Sequence, residues 1–218
     1  MVFILLYRPV GFKEMDLILD TGNRHFPERL PGQPIFYPVL NALYAREIAE
    51  KWNTNDKKSC YVGYVLEFEV DDEYVSSFEV HIVGSSIHKE LWVLAEELDE
   101  FNKHIINDIL IINAYYGKLY EGRSCLEDKN YIEQFLSLKR SGEIDNTEFT
   151  QETLAQWKMI NENYFIWHLF DFSDYGVSLI ERDSLINLIK GILIKNKKWF
   201  IRDWLFLSNF FGNLNNIL

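Results

Sequence analysis

The 218-residue sequence has little of what marks the best-known chemistries. Cysteine is scarce. Cys60 and Cys125 lie far apart and form no CxxC pattern, which excludes a disulfide framework and a structural zinc site. Two free thiols in a reducing cytoplasm are the expectation. Positive charge is also in short supply, with 22 lysines and arginines against 33 acidic residues, a formal net charge of −11. Residues 1–120 hold 11 basic and 19 acidic side chains, and the remainder 11 and 14, so neither half is a basic module. Non-specific binding to nucleic acid or to an anionic membrane needs a basic face, and neither partner is expected. Long apolar runs are missing. Met1–Tyr7 is short and has no basic start or cleavage site. The stretch 199–211 is interrupted by Arg202, Asp203, Ser208 and Asn209. No bilayer span and no targeting signal are read, and a cytoplasmic location is expected. There is no glycine-rich phosphate loop, GxSxG elbow or HExxH helix. His25, His81, His104 and His168 have no metal-ligand spacing, so no metal is expected.

The apolar and aromatic residues are ample for a core, and their periodicity organises the first half. Val2–Tyr7 is a continuous apolar run, which predicts a strand buried on both faces and ended by Pro9 and Gly11. Lys13–Asp20 alternates charged and apolar residues as a short amphipathic helix, closed by Gly22. Four of the five prolines fall in Phe26–Pro38, predicting a stiff extended loop with a brief strand at Ile35–Tyr37. Asn41 stands at a helix N-cap position, followed by Tyr44, Ala45, Ile48, Ala49 and Trp52 at helical spacing. Tyr61–Val70 has strand period with Val62, Tyr64, Leu66, Phe68 and Val70 on one face. Strands are also predicted at Phe78–Val83, Glu90–Val93 and Asp108–Tyr116, and a helix at Ala95–Ile105. Turns separate most of the strands, which favours a mostly antiparallel α+β sheet over parallel crossover units.

The texture changes after Gly117. Helices are predicted at Tyr131–Lys139, Thr150–Phe170, Ser184–Ile194 and Trp199–Phe211, with a polar stretch at Arg140–Thr147 carrying Gly142. The chain is therefore expected to divide into an α+β domain over 1–117 and a helical, aromatic-rich segment over 118–218. The tryptophans of that segment suit a helical core or packing on the first part. If exposed, they would form a surface for a protein partner.

Five stretches carry a resemblance: "LYRPVG", "FPERLPGQPIFYPVLNALYAREIAEKWN", "GYVLEFEVDDEYV", "HKELWVLAEELDEFNKHI" and "ILIINAYYG". Together they resemble a family of small bacterial proteins labelled ADP-ribosylation/crystallin J1, over about residues 5–117. The resemblance implies an ADP-ribosyltransferase-like split antiparallel sheet. It also implies NAD as substrate and transfer of ADP-ribose to an acceptor that the sequence does not name. Such enzymes place an Arg or His on the first strand, a hydroxyl or aromatic group in the middle and a catalytic Glu on a late strand. Arg8, Tyr37, Tyr44 and Glu90 stand in that order. Glu90 would be catalytic, holding the ribose 2′-hydroxyl and countering positive charge at an oxocarbenium-like state. Arg8 would clamp NAD through its guanidinium, Tyr37 would stack on nicotinamide, and Tyr44 and His88 would complete the binding site. Two departures stand out: "IFYPVL" replaces the usual Ser-Thr-Ser run, and His88 occupies a position where many members of the superfamily carry Gln or Glu.

Each residue also has an ordinary structural role open to it. Glu90 fits a solvent-facing strand position, and Arg8 a surface ion pair. Tyr37 and Tyr44 fit core positions, and His88 a satisfied structural histidine. Two further functions stay open on the same scaffold: a non-catalytic immunity- or antitoxin-like interaction protein, for which the acidic charge suits a basic partner, and a hydrolase of ADP-ribosylated targets.

Overall fold

The computed structural model describes residues 2–125 and 129–202. A three-stranded antiparallel sheet forms the centre, in the order β1 (Phe3–Val10), β3 (Val62–Asp71), β7 (Leu110–Tyr116). Two antiparallel pairs flank it: β2 (Ile35–Phe36) with β6 (Val93–Leu94), and β4 (Val80–Ile82) with β5 (Lys89–Leu91). Pro38–Leu40 joins the centre to the second pair. Val39 exchanges both backbone hydrogen bonds with Tyr7 at 2.8 Å on one edge. On the other edge Leu40 N–H donates to the Lys89 carbonyl and Leu91 N–H to the Pro38 carbonyl. The fold is thus α+β with small antiparallel sheets.

Each face of the central sheet carries a buried cluster. Val62, Tyr64, Leu66, Phe68 and Val70 point into the larger core, as their alternation predicts. The opposite face of β3 is buried too, because α2 (Ala42–Lys51) lies over Val65 through Ala45 and Ala49. Gly63 permits that approach: a Cβ there would come within 2.3 Å of the Ala49 carbonyl oxygen. The expectation for Val2–Tyr7 is corrected. Leu6, Arg8 and Val10 are buried, whereas Phe3 and Leu5 are exposed on the α2 side. A ten-residue helix is roughly 15 Å long and a ten-residue strand about 33 Å, so α2 cannot cover the whole face.

Helix α1 (Phe12–Asp20) buries Phe12, Met15, Ile18 and Leu19 under the sheet, and Gly22 follows its end at φ +69°. The Asn41 side chain caps α2, accepting from Leu43 N–H at 2.8 Å. Between β3 and β7 lie α3 (Asp72–Val75) and α4 (Leu98–Lys103); a 3₁₀ turn at Ala95–Glu97 occupies the start of the predicted helix.

Beyond residue 117 the helices are α5 (Tyr131–Ile144), α6 (Asn146–Ala155), α7 (Trp157–Leu169) and α8 (Leu179–Lys195). Two expectations change. Most of the polar stretch 140–147 is helical, because α5 runs to Ile144 and Asp145 then caps α6. The single long helix at 150–170 is two helices meeting at Gln156. The predicted helix at 199–211 falls mostly outside the described residues. Its first part is extended, with Ile201 bridging Ile111 in parallel.

One cluster of buried side chains runs from Leu6 to Ile201 and so includes both parts of the chain. Helix α7 is buried over Met159–Phe165 without interruption, the mark of a helix surrounded on all sides. Cys60 is disulfide-bonded, which corrects the expectation of two free thiols and removes its support for a reducing compartment. Separation along the sequence says nothing about the distance between Cβ atoms, so the chain pattern alone misled. The side chain of Cys125 lies outside the described residues. Among the described residues no helix is long and apolar enough to cross a membrane.

Candidate functional site

An open pocket of about 560 Å³ lies between α2 and the β4–β5 pair, lined by Tyr37, Tyr44, Trp52, Val83, His88, Glu90 and Trp92. That volume is within the usual range for small-molecule sites, roughly 300–1,000 Å³. Four of the five residues singled out in the sequence therefore meet on one wall.

Two short-range spacings build it. His88 and Glu90 are two apart in an extended segment, which puts both on one face. Tyr44 and Glu47 are three apart on α2, which makes them neighbours on one side of the helix. The two pairs interlock. The Tyr44 hydroxyl donates to Glu90 Oε1 at 2.7 Å, and its ring stacks on His88 with centroids 4.1 Å apart and planes at 20°. His88 Nε2 lies 3.0 Å from Glu47 Oε2. Burial, and then the bond to Glu90, push the Tyr44 phenol well above its ordinary value, so it stays protonated and donates.

Glu90 is held from a second side. Trp92 Nε1–H donates to its Oε2 at 3.0 Å. A carboxylate has roughly four acceptor positions, so two donors fix its orientation and leave capacity for a ligand hydroxyl. Trp92 is 40% exposed; it stacks on His81 at 4.1 Å and meets the edge of Tyr37 at 6.1 Å and 87°. Trp52, at the end of α2, is 61% exposed. Tyr37 is turned outward because Phe36 beside it is anchored in the core against Phe26 and Phe101.

Arg8 is not brought to this wall. Its Nε donates to Glu14 Oε1 at 2.7 Å and its Nη2 to Oε2 at 3.2 Å, a bidentate pair. Its Nη1 donates to the Tyr37 carbonyl at 3.2 Å, and the guanidinium lies 4.5 Å from the Phe36 ring centroid. Arg8 thus braces the backbone of Tyr37 from behind, with Arg29 3.9 Å from the same Glu14. The lining also holds Trp52, Val83 and Trp92, which the sequence did not single out for the site, and Glu47 contacts His88 from outside the lining. For Trp92 and Glu47 the signal is spacing: i, i+2 from Glu90 and i, i+3 from Tyr44.

A second, smaller depression of about 280 Å³ includes Leu5, Glu67, Glu69 and Asn107 in its lining; there Arg24 pairs with Asp108 at 2.8 Å. Among the described residues no group of three or more His, Cys, Asp or Glu side chains could hold a metal ion.

No family model, no curated protein and no solved structure matches the chain. What fold and site define is an α+β protein with small antiparallel sheets and an aromatic-walled pocket around one oriented carboxylate.

Proposed function

We propose that the chain transfers ADP-ribose from NAD to an acceptor, with Glu90 as the catalytic residue. The observation that carries this reading is the Glu90 carboxylate, fixed by Tyr44 and Trp92 at the edge of an aromatic pocket. In the reaction the bond between nicotinamide N1 and ribose C1″ breaks and its electron pair leaves with nicotinamide. The acceptor nucleophile bonds to C1″ and gives its proton to solvent. Positive charge develops on the ribose as the bond breaks, and a pre-oriented carboxylate stabilises that charge without reorganising. Free acceptor capacity on Glu90 suits the ribose hydroxyls. Tyr37 and Trp92 offer faces and edges suited to a nicotinamide ring. NAD fits this wall as a substrate in its nicotinamide and ribose parts; among the described residues no lysine or arginine lines the pocket to meet its phosphates.

The last point favours a second reading. A pocket with aromatic walls and a carboxylate also suits a binding module that holds a cationic group without turnover. Incubation with NAD separates the two. Nicotinamide release that disappears in Glu90→Gln supports transfer. Release that is absent in the wild type, or unaffected by the substitution, removes it.

A further inference from the structure

The β4–β5 pair joins the central sheet through Pro38–Leu40, and β4 lies outermost, beyond β5. The hydrogen-bond pattern fixes which way each β4 residue turns its main chain. On β5, the Lys89 carbonyl accepts from Leu40 N–H, and Leu91 N–H donates to the Pro38 carbonyl. Main-chain groups alternate sides along a strand, so Glu90 between them turns its own toward β4, where its register partner is His81. The bond from Val83 N–H to the His88 carbonyl, at 3.0 Å, keeps the same alternation. Val80 and Ile82 therefore aim both their N–H groups and both their carbonyls away from β5. Among the described residues no strand pairs with that side. Exposed edges are commonly blunted by lysine, proline or a bulge. Strand β4 carries none of these; its exposed side chains are Val80, at 44%, and Ile82, at 60%.

The two faces of this edge differ. Val80 and Ile82 share one face, with Lys89 opposite Ile82. His81 shares the pocket face with Glu90 and stacks on Trp92 at 4.1 Å. Exposed Glu79 immediately precedes β4. The Tyr74 ring meets Phe78 at 5.3 Å, and its phenol is held above the ordinary value by burial and then by Glu97 and Glu100. Carboxylates thus surround the approach to β4, while the one lysine or arginine of the pair, Lys89, belongs to the apolar face.

We propose that the outer edge of β4 takes up an extended segment of a basic partner protein as an added strand. Unpaired main-chain groups at strand spacing select an extended backbone, and the side chains then select the sequence. Apolar residues of the segment would pair across from Val80 and Ile82. Lysine or arginine at the alternate positions would lie on the pocket face, near Glu79, Glu90 and the His81–Trp92 stack, where carboxylates and aromatic faces both attract a cation. A second copy of this chain is disfavoured as occupant, because its own net charge of −11 repels it. The partner segment is recognised independently of the function proposed above, so nicotinamide release and segment binding succeed or fail separately.

The probe is a capped ten-residue peptide that alternates lysine and valine, titrated into the full chain. Its counterpart alternates glutamate and valine. The lysine peptide should shift the amide resonances of Val80 and Ile82 and bind at least about tenfold more tightly than the glutamate peptide. Ile82→Pro removes an outward N–H that no strand uses, a substitution that edge strands tolerate. It should weaken binding about tenfold, the scale of one main-chain hydrogen bond. Ile82→Lys keeps the N–H and adds a repelling charge at an exposed position, and it should weaken binding in the same way. Thermal melts close to the wild type verify that both variants fold. The proposal is overturned if the lysine peptide does not bind, if its shifts map elsewhere, if the two peptides bind equally, or if neither variant weakens binding. Sedimentation of the free protein should show a monomer. A dimer that Ile82→Pro abolishes would assign the edge to a second copy and overturn the basic partner.

Discussion

On the α2 side of the central sheet, Tyr44, Glu47, His88 and Glu90 gather at an open pocket and keep acceptor capacity unused. On the α7 side, Asn161, Glu162 and Asn163 are fully buried, and their bonds are almost all internal. The Asn163 side chain accepts from the Tyr120 hydroxyl at 2.7 Å and donates to Gln134 at 2.6 Å. Asn161 donates to the Trp157 and Lys198 carbonyls and accepts from Phe200 N–H. The hydroxyls of Tyr64 and Tyr116 both donate to the Glu162 carbonyl, which ties the sheet to the helix. The Glu162 carboxyl takes Arg123 at 2.7 Å, and Arg123 also reaches Asp16 of α1 at 3.1 Å. The same residue types thus line an open pocket where one side is free and make a structural rivet where every side is packed. The difference is whether a carboxyl group's remaining acceptor positions face solvent or protein.

Breaking the riveted side should have the largest effect. Trp167 is buried, packs on Phe135 and donates to the Tyr131 carbonyl at 2.8 Å. Trp167→Ala should cost about 3–5 kcal/mol of stability in urea denaturation. A cost below about 1 kcal/mol would mean that α7 is not packed from all sides. On the open side, Glu90→Gln should lower nicotinamide release roughly 10²–10³-fold, about 2.7–4 kcal/mol, while the melting temperature stays close to the wild type.

The third test sharpens the contrast through pH. Burial, opposed by Arg123, pushes the Glu162 carboxyl up to about 8 from an ordinary value of 4.5. Between those two values the folded protein keeps a proton that the unfolded chain has released. Stability from this group is therefore complete below about 4.5 and lost as pH rises through about 8. Thermal melts between about pH 5 and pH 8 should show falling stability, and Glu162→Gln should flatten the slope. A wild-type profile without that decline would mean that Arg123 offsets the burial. The smallest effect belongs to the helix that carries the pocket. Asn41→Ala removes the α2 cap and should cost about 1 kcal/mol in the same denaturation experiment.

Much of the first half was legible because its signals are local. The Asn41 cap, the alternation in Tyr61–Val70 and the brief strand near Ile35 all depend on neighbours in sequence. The exposure of Phe3 and Leu5 was not legible, since it depends on how far α2 reaches across the sheet. Nor was the break at Gln156: Leu154, Trp157, Ile160, Tyr164 and Trp167 keep helical spacing straight through it. At the site, the structure brings Tyr37, Tyr44, His88 and Glu90, the residues picked out through the resemblance, to one pocket. Arg8 stays behind the wall because Glu14, on the helix that follows it, claims the guanidinium at close range. Sequence order cannot weigh that local competitor against a distant ligand.

Pro38–Leu40 is a shared seam. Its backbone is hydrogen-bonded to Tyr7 on one edge and to Lys89 and Leu91 on the other. Sliding this seam by one position would turn its side chains over against both neighbours at once. Its amides are thus natural reporters. Slow deuterium exchange at Val39, Leu40 and Leu91 would register the pocket wall and the central sheet as a single cooperative unit, and unequal exchange would resolve them as two.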